Sequence, residues 1–203
     1  MFLQVIRGRT NDAEGLRRQL DRWVEEIRPG ADGYLGSTAG VAEDGTFFAA
    51  ARFEDEAAAR RNSDRPEQGS WWNETAKYFE GEPTFADYTD VDLTLGGGSN
   101  DAGFVQVMAG TVADAAKVRA FEQEFMPRLA EMRPDVIGSV RGWDGNAFTD
   151  VIYFTSEAEA RKGEAGMEAQ SSTASPEDAA AFGEYMAQIQ EVTYLDLKEP
   201  WLY

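Results

Sequence analysis

The chain has 203 residues, with 37 Asp and Glu against 19 Lys and Arg and a formal charge of −18. It contains neither Cys nor His, which excludes disulfide frameworks, thiolate metal sites, cysteine nucleophiles, and the imidazole used by most zinc sites, haem irons and catalytic triads. A field this negative repels phosphate backbones, and the longest apolar run, Phe47–Ala51, is far short of the roughly 20 residues of a membrane helix, so neither nucleic acid nor membrane is an expected partner.

In chain order, residues 2–8 open with β-prone Phe, Val and Ile and predict a strand. Asn11 is placed to cap a helix with Glu14 three residues on, and Leu16, Leu20, Trp23, Val24 and Ile27 follow at helical spacing. A short strand near Tyr34–Thr38, a Gly-containing turn and a strand near Thr46–Phe53 predict a hairpin. Two helical pieces follow, Asp55–Asn62 and Pro66–Phe79, and then an alternating strand at Thr89–Leu95. The segment Gly96-Gly97-Gly98-Ser99-Asn100-Asp101-Ala102-Gly103 has the composition of a flexible linker.

After it the pattern recurs. Phe104, Gln106, Val107 and Gly110 repeat Phe2, Gln4, Val5 and Gly8 at a spacing of 102; Asp114 and Arg119 repeat Asp12 and Arg17. The matches continue, three residues shorter in one turn, through Arg133-Pro134, Gly138-Ser139 and Gly142, then Phe154, Glu157-Ala158 and Ala160-Arg161. Asp196-Leu197 matches Asp92-Leu93 near the end of the first copy. The second copy's first helix carries Val118, Phe121, Phe125, Leu129 and Met132 on one face, with a kink or break expected at Pro127. Its hairpin is expected at Val136–Val140 and Phe148–Phe154, its later helices at Glu157–Ala169 and Pro176–Gln190, and its last strand at Val192–Leu197. The expected domains are 1–95 and 104–203, joined by the linker 96–103. Residues 1–100 carry 11 basic against 19 acidic side chains and the remainder 8 against 18, so neither half is a basic module.

Each copy reads β-α-β-β-α-β, the ferredoxin-like order of an α+β protein with helices on one face of an antiparallel sheet. The other face, with residues such as Phe48, Ala50, Val91 and Leu93, needs a cover, and a second copy supplies one. In element order, length and duplication the chain resembles the dimeric α/β-barrel superfamily, which includes antibiotic-biosynthesis-monooxygenase-like and stress-responsive barrel proteins, here as a fused tandem. The resemblance implies two ferredoxin-like repeats packed sheet to sheet as an intramolecular dimeric α/β barrel. The superfamily's haem enzymes use His, which this chain lacks. Its cofactor-free monooxygenases oxidise electron-rich polycyclic phenols in a pocket between sheet and helices, lined with Asn, Trp, Tyr and Arg. That chemistry asks the protein to orient the substrate, stabilise its anion and exclude water.

The polar cluster between the two pieces of the second helix, with Asn62, Arg65, Trp71 and Trp72, is not retained in the second copy and is the first candidate ligand site. Helix-end and core roles for the same residues stand beside that reading. Two adjacent Trp cannot share one helix face, which leaves one for an edge or cleft. Arg52 shares a strand face with Phe48 and Ala50 and corresponds to Tyr153; Gln4 and Gln106 correspond to each other on apolar strand faces. Each is a candidate ligand contact or a structural hydrogen-bonding group. No catalytic residue is assigned, no metal loop is present and no cofactor is expected. The C-terminal Pro200-Trp201-Leu202-Tyr203 is apolar enough to be expected docked on the body or a partner. Three readings remain: a cofactor-independent monooxygenase or related tailoring enzyme acting on an aromatic substrate, a non-catalytic binder or sensor of an aromatic or apolar metabolite, and a structural or stress-related barrel with a filled interior. The expected state is cytoplasmic, monomeric as an intramolecular pseudo-dimer or homodimeric, with a small aromatic or apolar molecule as partner.

Overall fold

The computed structural model describes residues 1–171, 180 and 183–203, with backbone alone at 126, 127, 129 and 167–171. The elements in chain order are β1 (Phe2–Arg9), α1 (Ala13–Arg22), β2 (Tyr34–Val41), β3 (Thr46–Phe53), α2 (Glu56–Ser63), α3 (Pro66–Thr75), β4 (Thr84–Tyr88), β5 (Asp90–Thr94), β6 (Phe104–Val112), α4 (Ala115–Met132), β7 (Val136–Asp144), β8 (Ala147–Phe154), α5 (Glu157–Ser171), β9 (Ile189–Leu197) and β10 (Trp201–Leu202). The chain forms two units, Met1–Val91 with Glu199–Tyr203, and Asp92–Lys198. Each is α+β and built on a five-stranded antiparallel sheet, in the orders β10-β2-β3-β1-β4 and β5-β7-β8-β6-β9.

In the first unit α1 is capped by Asp12, whose carboxylate accepts from the Gly15 amide; Asn11 lies one residue outside the cap. The helix continues as a π-helical turn, Trp23–Ile27, and ends in a 3₁₀ turn at Arg28–Gly30. Its stripe buries Leu16, Trp23 and Ile27. Period two puts Ile6, Ala39, Phe47 and Ala49 on the sheet face that packs on Leu16 and Leu20, with Trp201, Tyr78 and Phe79 in the same cluster. The opposite face carries Leu3, Val5, Arg7, Thr38, Phe48, Ala50 and Arg52.

Several elements differ from the sequence expectation. The strand that closes the first sheet is β4, where Leu3 pairs Tyr88 and Gln4 pairs Asp87. In the second sheet Val105 pairs Leu197 and Gln106 pairs Asp196, so Asp87, not Asp92, corresponds to Asp196. The segment expected to close the first copy instead supplies β5 to the second sheet. A two-residue Asp-Leu match is too short to choose between adjacent alternating strands. Helix α4 runs as one element through Pro127, and β9 begins at Ile189, shortening the helical stretch expected to reach Gln190. The expected helix start at Pro176 lies outside the described residues.

The C-terminus docks as expected. Trp201 and Leu202 pair with Ala39 and Thr38, and the backbones of Ser37 and Tyr203 exchange two hydrogen bonds of 2.8 and 2.9 Å. The Gly-Ser pair repeated in both copies marks the bulge where this added chain passes. A Cβ on Gly36, whose φ is +132°, would stand 2.8 Å from the Tyr203 carbonyl oxygen, and one on Gly138 would stand 1.9 Å from that of Gly97. Ser139 in turn hydrogen-bonds Thr94 of β5 at 2.6 Å.

Trp201 is buried against Phe47 with ring centroids 6.3 Å apart. Replacing it with Ala is expected to cost about 3–5 kcal/mol of the first unit's stability, read as a lowered urea midpoint.

Candidate active site in the second unit

The residues singled out by sequence do not form one constellation. Asn62, Arg65 and Trp71 do come together, at the seam of α1, α2 and α3. The Asn62 amide and the Trp23 indole both donate to Gln68 Oε1, at 3.2 and 2.6 Å. Arg65 donates to the Ile27 carbonyl and to Asn62 Oδ1, and the Trp71 indole donates to the Gln19 carbonyl at 2.7 Å. These bonds tie the helices together and leave Trp71 buried. Trp72 points elsewhere, half-buried against Phe79 and Phe85 at 6.1 and 5.2 Å.

Gln4 and Arg52 lie on opposite faces of the first sheet. Gln4 donates to Asp87 at 2.9 Å, as Gln106 donates to Asp196 at 3.0 Å. Arg52 has a buried Nε that no acceptor among the described residues reaches. Tyr153, its counterpart, is buried on the second sheet's face opposite Gln106.

The second unit holds a cluster that the sequence reading passed over. In the first sheet Ala39 sits opposite Ala49, with Leu20 of α1 packed on them. At the corresponding register of the second sheet Arg141 sits opposite Asp150, and at the corresponding turn of α4 stands Glu122. Arg141 donates through Nε and Nη2 to Asp150 Oδ2 at 3.0 and 2.7 Å, and through Nη1 to Glu122 Oε2 at 2.5 Å. The Tyr185 hydroxyl donates to Glu122 Oε1 at 3.0 Å. Asp150 is 1% exposed, and its Oδ1 is buried with no donor among the described residues in reach.

Aromatic rings enclose these charges. Trp143, where the first unit has Val41, lies under both Arg141 and Arg119, whose guanidinium carbons stand 5.4 and 5.0 Å from its ring. Its indole donates to Asp92 of β5 at 2.8 Å, and Arg119 reaches the same carboxylate oxygen at 2.9 Å. Phe148 packs on Trp143 at 5.6 Å, and Phe121 stacks between Phe125 and Tyr185 at 5.5 and 4.7 Å.

Burial works against the Arg141 charge, but Asp150 and Glu122 outweigh it and hold the guanidinium firmly protonated. Burial, followed by the Glu122 carboxylate, raises the Tyr185 phenol well above its ordinary value. The cluster therefore holds one cation against two carboxylates, with a neutral phenol at one end. A buried ion pair elsewhere in the unit differs: both Asp135 oxygens are engaged by Arg133. Among the described residues no group of three acidic side chains is placed to hold a metal ion.

The signal was present in the repeat itself. Aligning the copies at 102 puts Glu122, Arg141 and Trp143 over Leu20, Ala39 and Val41. Two inward positions that turn charged in only one copy of a fold, with a third that turns from Val to Trp, mark a departure from packing needs.

No family model and no curated relative matches the sequence. Solved structures do match along the whole chain. A protein from Fusobacterium nucleatum with a provisional monooxygenase name aligns over 100% of this chain and 96% of its own, with TM-score 0.71 and 13% identity. One from Lactobacillus acidophilus, similarly named, aligns over 100% and 99%, with TM-score 0.69 and 12% identity. An anthrone oxidase-like protein aligns over 99% and 92%, with TM-score 0.57 and 10% identity. At these identities the likeness is one of fold: this chain has the tandem ferredoxin-like fold that those proteins share.

Two outcomes test the cluster. Arg141→Ala alone should cost about 3–5 kcal/mol, because it strands two buried carboxylates. The triple exchange Glu122→Leu, Arg141→Ala, Asp150→Ala, which copies the first unit, should restore stability to within about 1 kcal/mol of the parent or above it. Equal destabilisation in both variants would make the cluster structural. Because the folded-state pKa of Tyr185 lies above its unfolded value, its contribution is complete below about pH 10 and is lost as pH rises through the folded value. Tyr185→Phe should therefore flatten the alkaline fall in stability by up to about 1.4 kcal/mol per pH unit, measured by urea denaturation across the alkaline range.

Proposed function

We propose that the chain is a small-molecule enzyme, an oxygenase working without a bound cofactor on a planar aromatic substrate, with its site between the second sheet and α4. The observation that carries this reading is the Glu122–Arg141–Asp150 cluster. The first unit forms the same strand register with Leu20, Ala39 and Ala49, so the fold does not require charges there. Burying three ionised groups costs more than packing alanines, and a costly cluster in one of two matched interiors fits a functional role.

The chemistry suits what the cluster offers. An electron-rich phenol or anthrone, once deprotonated, transfers an electron to dioxygen; recombination and loss of water give the quinone, so that anthrone and O₂ become anthraquinone and H₂O. No redox group of the protein changes state in that sum. The rings of Trp143, Phe148 and Phe121 surround the cluster with apolar side chains, and Arg141 supplies a fixed positive charge for the substrate anion in a buried setting. The likeness in fold to an anthrone oxidase-like protein supports the same class of substrate.

Dioxygen uptake with 1,8-dihydroxyanthrone, with quinone formation followed by absorbance, tests the proposal. The parent should accelerate both in a saturable manner. The triple variant that copies the first unit should retain its fold and lose at least about a hundredfold in kcat/KM. Trp72→Ala, in the first unit, should stay within about twofold of the parent. Uptake indistinguishable between parent and triple variant would remove the proposal.

A further inference from the structure

The unpartnered oxygen of Asp150 constrains what the site accepts. The cluster has three hydrogen-bonded contacts onto Arg141, yet both guanidinium bonds to Asp150 fall on Oδ2. Oδ1 is buried and receives no donor among the described residues. Glu122, by contrast, has both oxygens occupied, by Arg141 and by Tyr185. A buried carboxylate oxygen without a donor is a costly arrangement, because the lost hydration is not replaced. The arrangement is asymmetric: one carboxylate is complete and the other is short of one hydrogen.

The net charge sharpens this. One guanidinium against two carboxylates leaves the cluster at −1. A second negative charge brought into the same buried volume would face that excess with little solvent screening. A neutral ligand carrying an O–H adds no charge. If its proton then passes to Oδ1, Asp150 becomes neutral as the ligand becomes the anion, and the total stays at −1. The bond broken is the ligand O–H, the bond formed is Oδ1–H, and the new anion lies beside Arg141, which has lost one of its two negative neighbours.

We infer that Asp150 is the proton acceptor of the site, and that the site selects uncharged aromatic ligands bearing an O–H donor over aromatics that arrive already negative. This rests on the reading of the Arg141 cluster as the substrate site, but it does not require that oxidation follows. Asp150 is then a catalytic residue, and Glu122 is a positioning residue that fixes Arg141.

Three ligands of one ring system separate the terms: 2-naphthol, its methyl ether, and 2-naphthoate, measured by equilibrium dialysis at about pH 7 against the full chain, with the corresponding anthracene set for ring size. The parent should bind the naphthol about tenfold or more tighter than the ether, since a hydrogen bond to a charged acceptor is lost in the ether, and the naphthoate more weakly than either. Asp150→Asn should shrink the naphthol-to-ether ratio to about twofold and bring naphthoate up by about tenfold or more, because one negative charge is gone and an amide donor has appeared. Glu122→Gln removes a charge without touching Oδ1. It should raise naphthoate affinity while leaving the naphthol-to-ether ratio as in the parent, and it covers the case in which Asp150→Asn fails to fold. Naphthoate binding as well as naphthol, a naphthol-to-ether ratio unmoved by Asp150→Asn, or no binding by either ring series would each overturn the inference. The expected order of binding without dioxygen uptake would leave the ligand class standing and remove only the oxygenase reading.

Discussion

Each unit depends on one constraint, the antiparallel register of its central strands. Because side chains alternate across a strand, fixing Val5 opposite Ala50 and Val107 opposite Val151 decides at once which residues meet the helices. A one-residue slip would drive Arg7 and Arg52 into the helix face of the first sheet, or turn Arg141 and Asp150 out of that of the second. The matched registers are what make the two interiors comparable position by position.

The comparison separates residues that build the fold from residues that the fold merely carries. Leu16 and Val118 occupy the same place on the first helix of each unit and are both fully buried; Phe47 and Phe148, and Phe53 and Phe154, likewise recur as buried sheet residues. Those positions hold helix to sheet in both copies. One turn away, Leu20, Ala39 and Ala49 give way to Glu122, Arg141 and Asp150. A buried ion cluster is weak evidence for stability in general, since desolvation offsets most of the Coulomb gain. Here the apolar alternative is present in the same molecule, which turns a general expectation into an internal control.

Much of the architecture was legible because it rests on short-range pattern. Period-two runs placed β1, β3, β6 and β8, the helical stripe from Leu16 to Ile27 placed α1, and the 102-residue recurrence placed the copies. What escaped was nonlocal. Whether Thr84–Tyr88 or Asp90–Thr94 closes the first sheet depends on which edge each reaches, and both read as short alternating strands. The docked position of Trp201 followed from its apolarity, whereas its partner strand did not. At the candidate site, the conspicuous cluster from Asn62 to Trp72 drew attention because its polar and aromatic residues adjoin in sequence. The structure closes Asn62, Arg65 and Trp71 on helix carbonyls and on Gln68. Glu122, Arg141 and Asp150 lie on α4, β7 and β8 and Tyr185 on the helical turn at 183–186, and they meet only in the folded unit.

Scattering of that kind has a consequence for how the cluster is held. Arg141 and Asp150 lie on paired strands, so their contact is set by the sheet ladder and survives small movements of the helices. Glu122 and Tyr185 come from the helical layer, and the stacking of Phe121 between Phe125 and Tyr185 sets their position relative to one another. The guanidinium bridges the two supports: Nε and Nη2 face the sheet, Nη1 faces the helix. A planar, rigid fork suits that task in a way a lysine ammonium would not. With Arg141 fixed from both sides, the acceptor left over on Asp150 is held on the rigid sheet, where geometry at a reacting proton is best maintained.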